Sequence, residues 1–478
     1  QGKAKGLAAC NSQTASPFGC LNNFYFRILS NFWGSLHVLK NVLLFSLPYL
    51  LSYFLQTLYG MADLFIIGQF EGVASTTAVS IGSQVMHMLT VMIVGLAMGA
   101  TVSIGRAVGA DDRRQVAQSI GNTVTLFMAV SLVLTAVLLL LRRDIVAVMS
   151  TPTEAVEGTV AYLTVCFIGI PFITAYNIIS SIFRGMGDSK SPMYFILVAC
   201  VANIGLDYLF MGALRMGPIG AALGTTLSQA VSVLAALIMI RRRKTGIVLK
   251  KSDLRPQRET MGSLLKIGVP IALQDGLIQI AFIVITIIAN RRGLNDAAAV
   301  GIVEKIISFL FLVPSSMLST VSALGAQNIG AGKPERAKAT LRYAVIITAG
   351  FGTVIVLLMQ FFAEPVVSLF TSSASADGLE VIRLGGQYLR GYVWDCIFAG
   401  IHFSFSGYFC ACGKSGLSFL HNILAIVLVR IPGVYYTSTH FADTLFPMGL
   451  ATAAGSLLSV VICVVAYSVI THREKNLV

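Results

Sequence analysis

Acidic side chains inside long apolar segments are the first candidates for chemistry in this sequence. In one segment Gln56, Tyr59 and Asp63 are spaced three and four residues apart, which places them on one face of a helix. In another segment Asn203 and Asp207 lie four residues apart and share a face in the same way. A charged side chain in hydrocarbon costs at least about 2.5 kcal/mol, so these acids are expected to serve a function.

These side chains offer the oxygen atoms that a small cation needs. Thr225 adds a hydroxyl group from a later segment, and Asn177 and Ser180 add an amide and a hydroxyl group from the segment before Asn203. Hard cations such as sodium prefer oxygen ligands, whereas a pair of carboxylates can share a proton. The residue types suit either ion and do not choose between them.

A purely structural interpretation of the same residues is also open. Asp63 lies near the end of its segment, where it could cap the helix or reach water, and Asn203 and Asp207 could simply bridge helices. In the second half, Asp275 and Glu304 could line a cavity as counter-charges for a cationic substrate. Local hydrogen bonds could equally satisfy both acids.

The composition indicates which elements must position these residues. Of the 478 residues, 56% are hydrophobic and only 12% are charged. This composition has too few polar residues to cover the surface of a soluble domain. A helix needs about 20 apolar residues to cross a bilayer. Twelve such spans are predicted, at 40–67, 75–104, 115–141, 156–182, 192–213, 218–240, 262–289, 297–325, 337–362, 383–411, 417–437 and 446–470.

Basic residues mark one side of this predicted membrane protein. The net charge is +13, and most basic residues between spans collect in alternate loops. By the positive-inside rule those loops are cytoplasmic, and both termini lie with them. Residues 1–33 are an N-terminal tail of uncertain status without the pattern of a signal peptide. The basic loops hold Arg106, Arg113, Arg114, Arg184, Lys190, the run from Arg241 to Arg258, Lys333, Arg336, Lys338, Lys414, Arg473 and Lys475.

The sequence repeats itself on either side of a basic linker. Pro48 opens the first half as Pro270 opens the second, and residues 105–110 and 217–222 correspond to 326–331 and 446–451. Because each half has six spans, the halves are related by a pseudo-two-fold axis along the membrane normal. The predicted fold class is an all-α polytopic membrane protein of two six-helix lobes. The N-lobe covers 34–240, the linker 241–260 and the C-lobe 261–478.

The chain resembles the multidrug and toxic compound extrusion (MATE) family. The motifs that carry this resemblance are QTLYGMAD at 56–63, FRGMGD at 183–188, GAA at 220–222 and QNIGAGK at 327–333. The resemblance implies a V-shaped pair of lobes with a substrate cavity between them, and export driven by inward sodium or proton flow. It also implies a cation site in the N-lobe and a lining beside it. The site residues are Asp63, Asn203, Asp207 and Thr225, and the lining residues are Gln56, Tyr59 and Asn177.

The favoured function is therefore secondary active export of organic cations in exchange for sodium or protons. The alternative is a flippase for lipids or lipid-linked oligosaccharides, although more basic residues inside the spans would be expected for that activity. A membrane enzyme is not favoured, because the sequence has no H-E-x-x-H, G-x-S-x-G or P-loop motif. The expected partners are a small cationic, amphipathic substrate and membrane lipid. A monomer in the cell membrane is expected, without nucleic acid or any cofactor beyond the coupling ion.

Overall fold

The computed structural model describes residues 17–242, 250–371 and 375–476, with side chains from His37 to Arg473 within those ranges. Every long regular element in these ranges is helical. The first half contains seven α-helices, and a π-helical turn at Tyr208–Ala213 extends the sixth. These helices are α1 (Pro17–Phe70), α2 (Val73–Gly109), α3 (Arg113–Val148), α4 (Val156–Ile168), α5 (Ile170–Gly185), α6 (Lys190–Asp207) and α7 (Gly217–Arg242).

The described residues of the second half form nine α-helices. A π-helical segment at Ile426–Arg430 joins two of them into one continuous span. These helices are α8 (Arg258–Asn290), α9 (Leu294–Leu310), α10 (Leu312–Gly330), α11 (Pro334–Ser368), α12 (Ala376–Tyr392), α13 (Asp395–Ala411), α14 (Ser415–Ala425), α15 (Ile431–His440) and α16 (Phe446–Asn476).

The predicted twelve-span architecture is confirmed. Ten helical stretches of the described chain are long and apolar enough to cross a membrane, and the bent pair α4 and α5 forms another span. Helices α12 and α13 complete the set, although α12 is less apolar because it carries Arg383 and Arg390. The sequence analysis did not predict that some spans are broken. The 46° bend between α4 and α5 lies beside Pro171, which removes a backbone donor from the helix.

The two halves form separate cores at one end of the bundle and a shared core at the other. Near the start of α2, Val79 and Val85 pack only with N-lobe residues, and near the end of α8, Ile285 and Ile288 pack only with C-lobe residues. At the opposite end, Met98 on α2 packs in one cluster with residues of the C-lobe. We call this end, where α2 ends and α8 begins, the closed end, and the other the open end.

Glycine residues allow the lobes to meet so closely at the closed end. A side chain at Gly99 would collide with the carbonyl oxygen of Leu264, and one at Gly268 would collide with that of Leu96. Helices α2 and α8 therefore touch through their backbones along the half of each that lies toward the closed end. Small residues at helix crossings are the usual means of close packing in membranes.

The described part of the linker packs against α3 of the N-lobe. The buried Asn122 side chain donates from Nδ2 to the carbonyl oxygen of Asp253 over 3.3 Å, and its Oδ1 accepts from the Gln257 backbone N–H over 2.8 Å. Thr125 donates to the carbonyl oxygen of Leu254 over 2.8 Å. The predicted cytoplasmic linker is thus fixed to one lobe immediately before α8 begins.

We expect Asn122→Ala to lower stability, because it leaves the Gln257 N–H and the Asp253 carbonyl group without a partner. Unsatisfied groups of this kind cost about 1–3 kcal/mol. The measurement is the unfolding temperature of the purified protein in detergent. Asn328→Ala is the control, because the Asn328 amide donates only within its own helix, to Leu324 over 2.8 Å. Equal losses in the two variants would contradict this role of Asn122.

Candidate cation site

The predicted N-lobe acids come together where α1, α6 and α7 meet. Thr225 on α7 donates from Oγ1 to Oδ2 of Asp63 on α1 over 3.0 Å. The Asn203 and Asp207 side chains on α6 lie next to the same carboxylate. Asp207 is the last residue of α6, immediately before the π-helical turn. Wide turns of this kind often occur at functional sites.

These polar groups are buried and only partly satisfied. Asp63 is 3% exposed, and Asn203 and Asp207 are 0% exposed. Five of their side-chain atoms have no hydrogen-bond partner within the described residues: Asp63 Oδ1, both Asp207 oxygens, and Asn203 Oδ1 and Nδ2. Buried polar atoms nearly always have a partner, so this concentration at one point makes the cluster a candidate ligand site. Four of the five are oxygens, the ligand type that sodium prefers.

The structure excludes the alternative in which Asp63 caps a helix or reaches water. Asp63 lies seven residues before the end of α1 at Phe70, so it is inside the helix. Its low exposure also rules out direct contact with bulk water. Two adjacent buried carboxylates cannot both ionise without a cation, because like charges in a low-dielectric interior repel strongly. At least one of the two must therefore be protonated, or a cation must be bound between them.

A missing side chain on α7 allows Asp207 to occupy its position. A Cβ atom built on Gly224 would collide with Oδ1 of Asp207. The neighbouring residue, Thr225, supplies the hydroxyl group that binds Asp63. Gly224 and Thr225 thus contribute space and a donor at adjacent positions of one helix.

Two tyrosine side chains and a cysteine lie in the neighbourhood of Asp63. Tyr59, Tyr162 and Cys166 all lie within electrostatic range of Asp63. The Tyr162 ring packs against Gly82 on α2, where any side chain would collide with it. These side chains lower the local dielectric, which strengthens the charge interactions there.

The buried arginine of the N-lobe is too far away to neutralise this pair. Arg184 was assigned to a basic loop from the sequence, but it lies inside α5 and is only 7% exposed. Its guanidinium group stacks on the ring of Tyr49 at 4.7 Å. Tyr49 precedes Asp63 by fourteen residues on α1, which is roughly 21 Å along a helix. The assignment failed because Arg184 directly precedes the glycine that ends the helix, and sequence alone does not show how far burial continues.

The other predicted N-lobe residues are distributed along the lobe between Asp63 and Arg184. Gln56 and Ser180 lie beside the hydroxyl group of Tyr176. Asn177 lines a small cavity together with Arg184. Its side-chain amide donates to the carbonyl oxygen of Ile173 in the same helix over 2.8 Å. Of the predicted lining set, Tyr59 therefore approaches Asp63, whereas Asn177 approaches Arg184.

Asp275 and Glu304, the two acids predicted to line a cavity in the C-lobe, lie apart from this site and from each other. Asp275 on α8 faces α2, where its carboxylate would meet a side chain at Gly95, so it lies at the lobe interface. Glu304 on α9 accepts a hydrogen bond from Thr286 over 3.1 Å, and its Oε1 is buried without a partner in the described chain. Asp275 is thus placed to face the space between the lobes, whereas Glu304 is inside the C-lobe.

The C-lobe has no copy of the N-lobe acids at the corresponding positions. Counting from the matched prolines, Ile285 holds the position of Asp63. Counting from Gly187 and Gly413, Gly433 holds that of Asp207, and counting from Gly220 and Gly449, Ala454 holds that of Thr225. Ile285 is fully buried in the C-lobe core. The architecture is repeated, but the polar site is present in one lobe.

The structure also reveals residues that the sequence analysis missed. Gly224 makes room for Asp207, and Tyr162 and Cys166 lie near Asp63. The adjacency of Gly224 to Thr225 was a usable signal, since small residues often mark close approach. Nothing in the local sequence connects Tyr162 or Cys166 with Asp63. Within the described residues, no group of three or more His, Cys, Asp or Glu side chains is arranged to hold a metal ion.

Comparison with known proteins places this arrangement in context. The chain is 27% identical to the probable multidrug resistance protein YoeA of Bacillus subtilis, over 84% of this chain and 88% of that protein. It is 25% identical to the multidrug export protein MepA of Staphylococcus aureus, over 85% and 89% of the two chains. A solved outward-facing multidrug resistance MATE family transporter superposes with a TM-score of 0.84 at 23% identity, covering 92% and 97%.

A family model supports the same relationship and the internal repeat. The MatE model matches residues 48–209 and again residues 270–436, so it matches each half once and more than half of the chain in total. The two matches begin at the same prolines, Pro48 and Pro270, that mark the repeat in the sequence. The chain therefore belongs to the MatE family, the multidrug and toxic compound extrusion transporters.

Proposed function

We propose that this protein exports organic cations in exchange for sodium ions or protons. The observation that carries the proposal is the buried pair of Asp63 and Asp207, which cannot be left doubly charged without a cation. An inward ion gradient can supply that cation from the side on which the pair is accessible. The names of the relatives YoeA and MepA support multidrug export as the transported process.

The closed end is the cytoplasmic end in this proposal. The loops at that end carry most of the basic residues, including the stretch that leads to α8 at Arg258, and such loops remain in the cytoplasm. The open end then faces the exterior of the cell. The conformation is accordingly outward-facing, with both termini in the cytoplasm and the protein in the cell membrane. The chain is proposed to act as a monomer, surrounded by lipid.

The coupling follows from what ion binding does to the N-lobe. When the cation or proton binds, the repulsion between Asp63 and Asp207 is relieved. An ion shifts a conformational equilibrium only when it binds the two states differently. Closure of the open end would alter the enclosure of these acids, and thereby the affinity for the ion.

The substrate class follows from the charges along the space between the lobes. Asp275 lies at this interface and is an acidic group that can face a cationic substrate there. Amphipathic cations are therefore the favoured cargo. A lipid flippase would need basic groups for phosphate, and the buried Arg184 is engaged with Tyr49 in the N-lobe.

We expect Asp63→Asn to abolish ion-driven transport. The measurement is efflux of ethidium from proteoliposomes under a sodium gradient and, separately, under a proton gradient. The wild type is expected to respond to one of the two gradients. The variant should respond to neither, because its amide can neither bind a proton nor supply a carboxylate to sodium. Asp144→Asn, at an exposed acid near the end of α3, is the control that should keep wild-type transport.

The result that would overturn export is equally defined. If neither gradient drives any cationic dye through the wild-type protein, the antiport proposal fails. Scrambling of a fluorescent phospholipid by the same vesicles would then favour the flippase. Unchanged ion-driven efflux by Asp63→Asn would instead remove Asp63 from the coupling site.

We expect Gly224→Ala to impair coupling without unfolding the protein. The added methyl group displaces the Asp207 carboxylate. A loss of about 1.4 kcal/mol of ion binding corresponds to a tenfold change in affinity. The measurement is the sodium or proton concentration that half-activates ethidium efflux. We expect this concentration to rise about tenfold in the variant.

Gly205→Ala is the matched control for this variant. Gly205 lies on α6, two residues before Asp207, and a side chain there meets nothing within 4 Å. Replacing a helical glycine by alanine at such a site stabilises a helix by roughly 0.5–1 kcal/mol, so this variant should remain folded and active. An equal loss of ion affinity in both variants would show that the collision with Asp207 is not the cause.

A further inference from the structure

Two side chains cross the lobe interface at the closed end, and each caps a helix of the opposite lobe. Arg106, near the end of α2, donates from Nε and Nη2 to the carbonyl oxygen of Ala411, over 3.0 and 2.5 Å. Gln327, near the end of α10, donates from Nε2 to the carbonyl oxygen of Gly185 over 2.8 Å. Ala411 and Gly185 are the last residues of α13 and α5.

The two contacts are related by the internal repeat. Arg106 lies three residues before Gly109, and Gln327 lies three residues before the matched Gly330. Their acceptors match in the same way, since Gly185 and Ala411 each lie two residues before a glycine of positive φ, at 92° in Gly187 and 72° in Gly413. One contact is therefore the pseudo-symmetric copy of the other, with donor and acceptor lobes exchanged.

The acceptors are carbonyl groups that their own helices leave free. After α5, the backbone N–H groups of residues 186, 187 and 188 bond to the carbonyl groups of residues 182, 184 and 183 and pass over Gly185. After α13, residues 412, 413 and 414 repeat the same pattern and pass over Ala411. Carbonyl groups at a helix end carry partial negative charge and attract donors, above all a cationic one.

Glycines bring the donors within reach. A side chain at Gly330 would collide with the carbonyl oxygen of Arg106, and one at Gly109 would collide with that of Gln327. A Cβ atom on Gly413 would lie 3.0 Å from the Arg106 guanidinium group, and one on Gly187 would lie 3.0 Å from Gln327 Nε2. The ends of α2 and α10 therefore cross at these reciprocal glycines, which fix the register of both contacts.

We propose that Arg106 and Gln327 are a symmetric pair of latches that hold the lobes together at the closed end and must release for that end to open. Neither residue touches the cation site, so they are positioning residues for the transport cycle. Release is inexpensive, because water can replace each donor at a helix end that becomes exposed. The proposal rests on the proposed function only in identifying the closed end as cytoplasmic.

A native thiol reports whether the latches have opened. Cys410 is 0% exposed and packs in the cluster that Met98 and Val102 of α2 share with the C-lobe. Cys396 is also 0% exposed but packs only within the C-lobe core. Opening of the closed end should expose Cys410 and leave Cys396 buried. The two thiols therefore separate lobe opening from general loosening of the protein.

The experiment measures the rate at which N-ethylmaleimide alkylates each of these two cysteines in the full-length protein in proteoliposomes, read by mass spectrometry without substrate or ion gradient. Hydrogen bonds from charged donors stabilise more than neutral ones, so we expect Arg106→Ala to accelerate Cys410 labelling roughly tenfold and Gln327→Ala about threefold. The double variant should exceed both. Arg336→Ala, at an exposed arginine of the same end, should label as the wild type does.

Two results would overturn the latches. One is wild-type labelling of Cys410 in a double variant that elutes as a folded protein. The other is equal acceleration at Cys396, which would assign Arg106 and Gln327 a general role in stability. If Arg106→Ala does not fold, Arg106→Lys, which keeps one cationic donor group, is expected to give an intermediate rate. Because the assay needs no transport, its outcome is independent of whether dye efflux is observed.

Discussion

The placement of two carboxylates in one apolar enclosure is the constraint on which the N-lobe depends. Asp63 and Asp207 come from helices more than a hundred residues apart in sequence, yet both lie within a few per cent of complete burial. Their environment does little to neutralise them, since the hydroxyl group of Thr225 is a neutral donor and the guanidinium group of Arg184 is a helix length away. The charge must therefore be balanced by protonation or by a bound cation. Gly224 leaves the space in which the second carboxylate lies.

The two lobes differ in how their buried acids are neutralised. At the position of Asp63 the C-lobe has the buried Ile285, and its fully buried acid in the described residues, Asp395, is paired with Arg430 over 3.0 Å. Such an internal pair carries no net charge, so it needs no external ion. Removing either partner alone would leave an uncompensated charge. In the proposed cycle, ion binding therefore changes the electrostatic energy of one lobe, while the other acts as the surface against which it moves.

Local sequence patterns predicted the elements and the faces of single helices, but not the contacts between them. Apolar length predicted the twelve spans, and helical spacing placed Gln56, Tyr59 and Asp63 on one face. The convergence of Asp63, Asn203, Asp207 and Thr225 was implied by family resemblance, since no periodicity within α1 or α6 states which helix is its neighbour. The burial of Arg184 and the position of Tyr162 near Asp63 were not predicted for the same reason. The capping contact of Arg106 was also missed, because a basic residue near a span end follows the positive-inside pattern whether it meets water or a carbonyl group of another lobe.

Helix α1 links the cation site with the closed end, because it belongs to both lobes. Its early residues Val38 and Val42 pack in a C-lobe cluster, whereas Asp63 lies in the N-lobe. Between them Tyr53 hydrogen-bonds with Ser319 on α10 over 2.8 Å, and α10 is the helix that carries Gln327. In the proposed cycle, opening the closed end would therefore disturb the packing of the same helix that holds the candidate ion-binding carboxylate of Asp63. A physical account of coupling requires one element that both sites bias. In the proposed cycle α1 is the candidate for that element, because it contacts the C-lobe at one end and carries Asp63 toward the other.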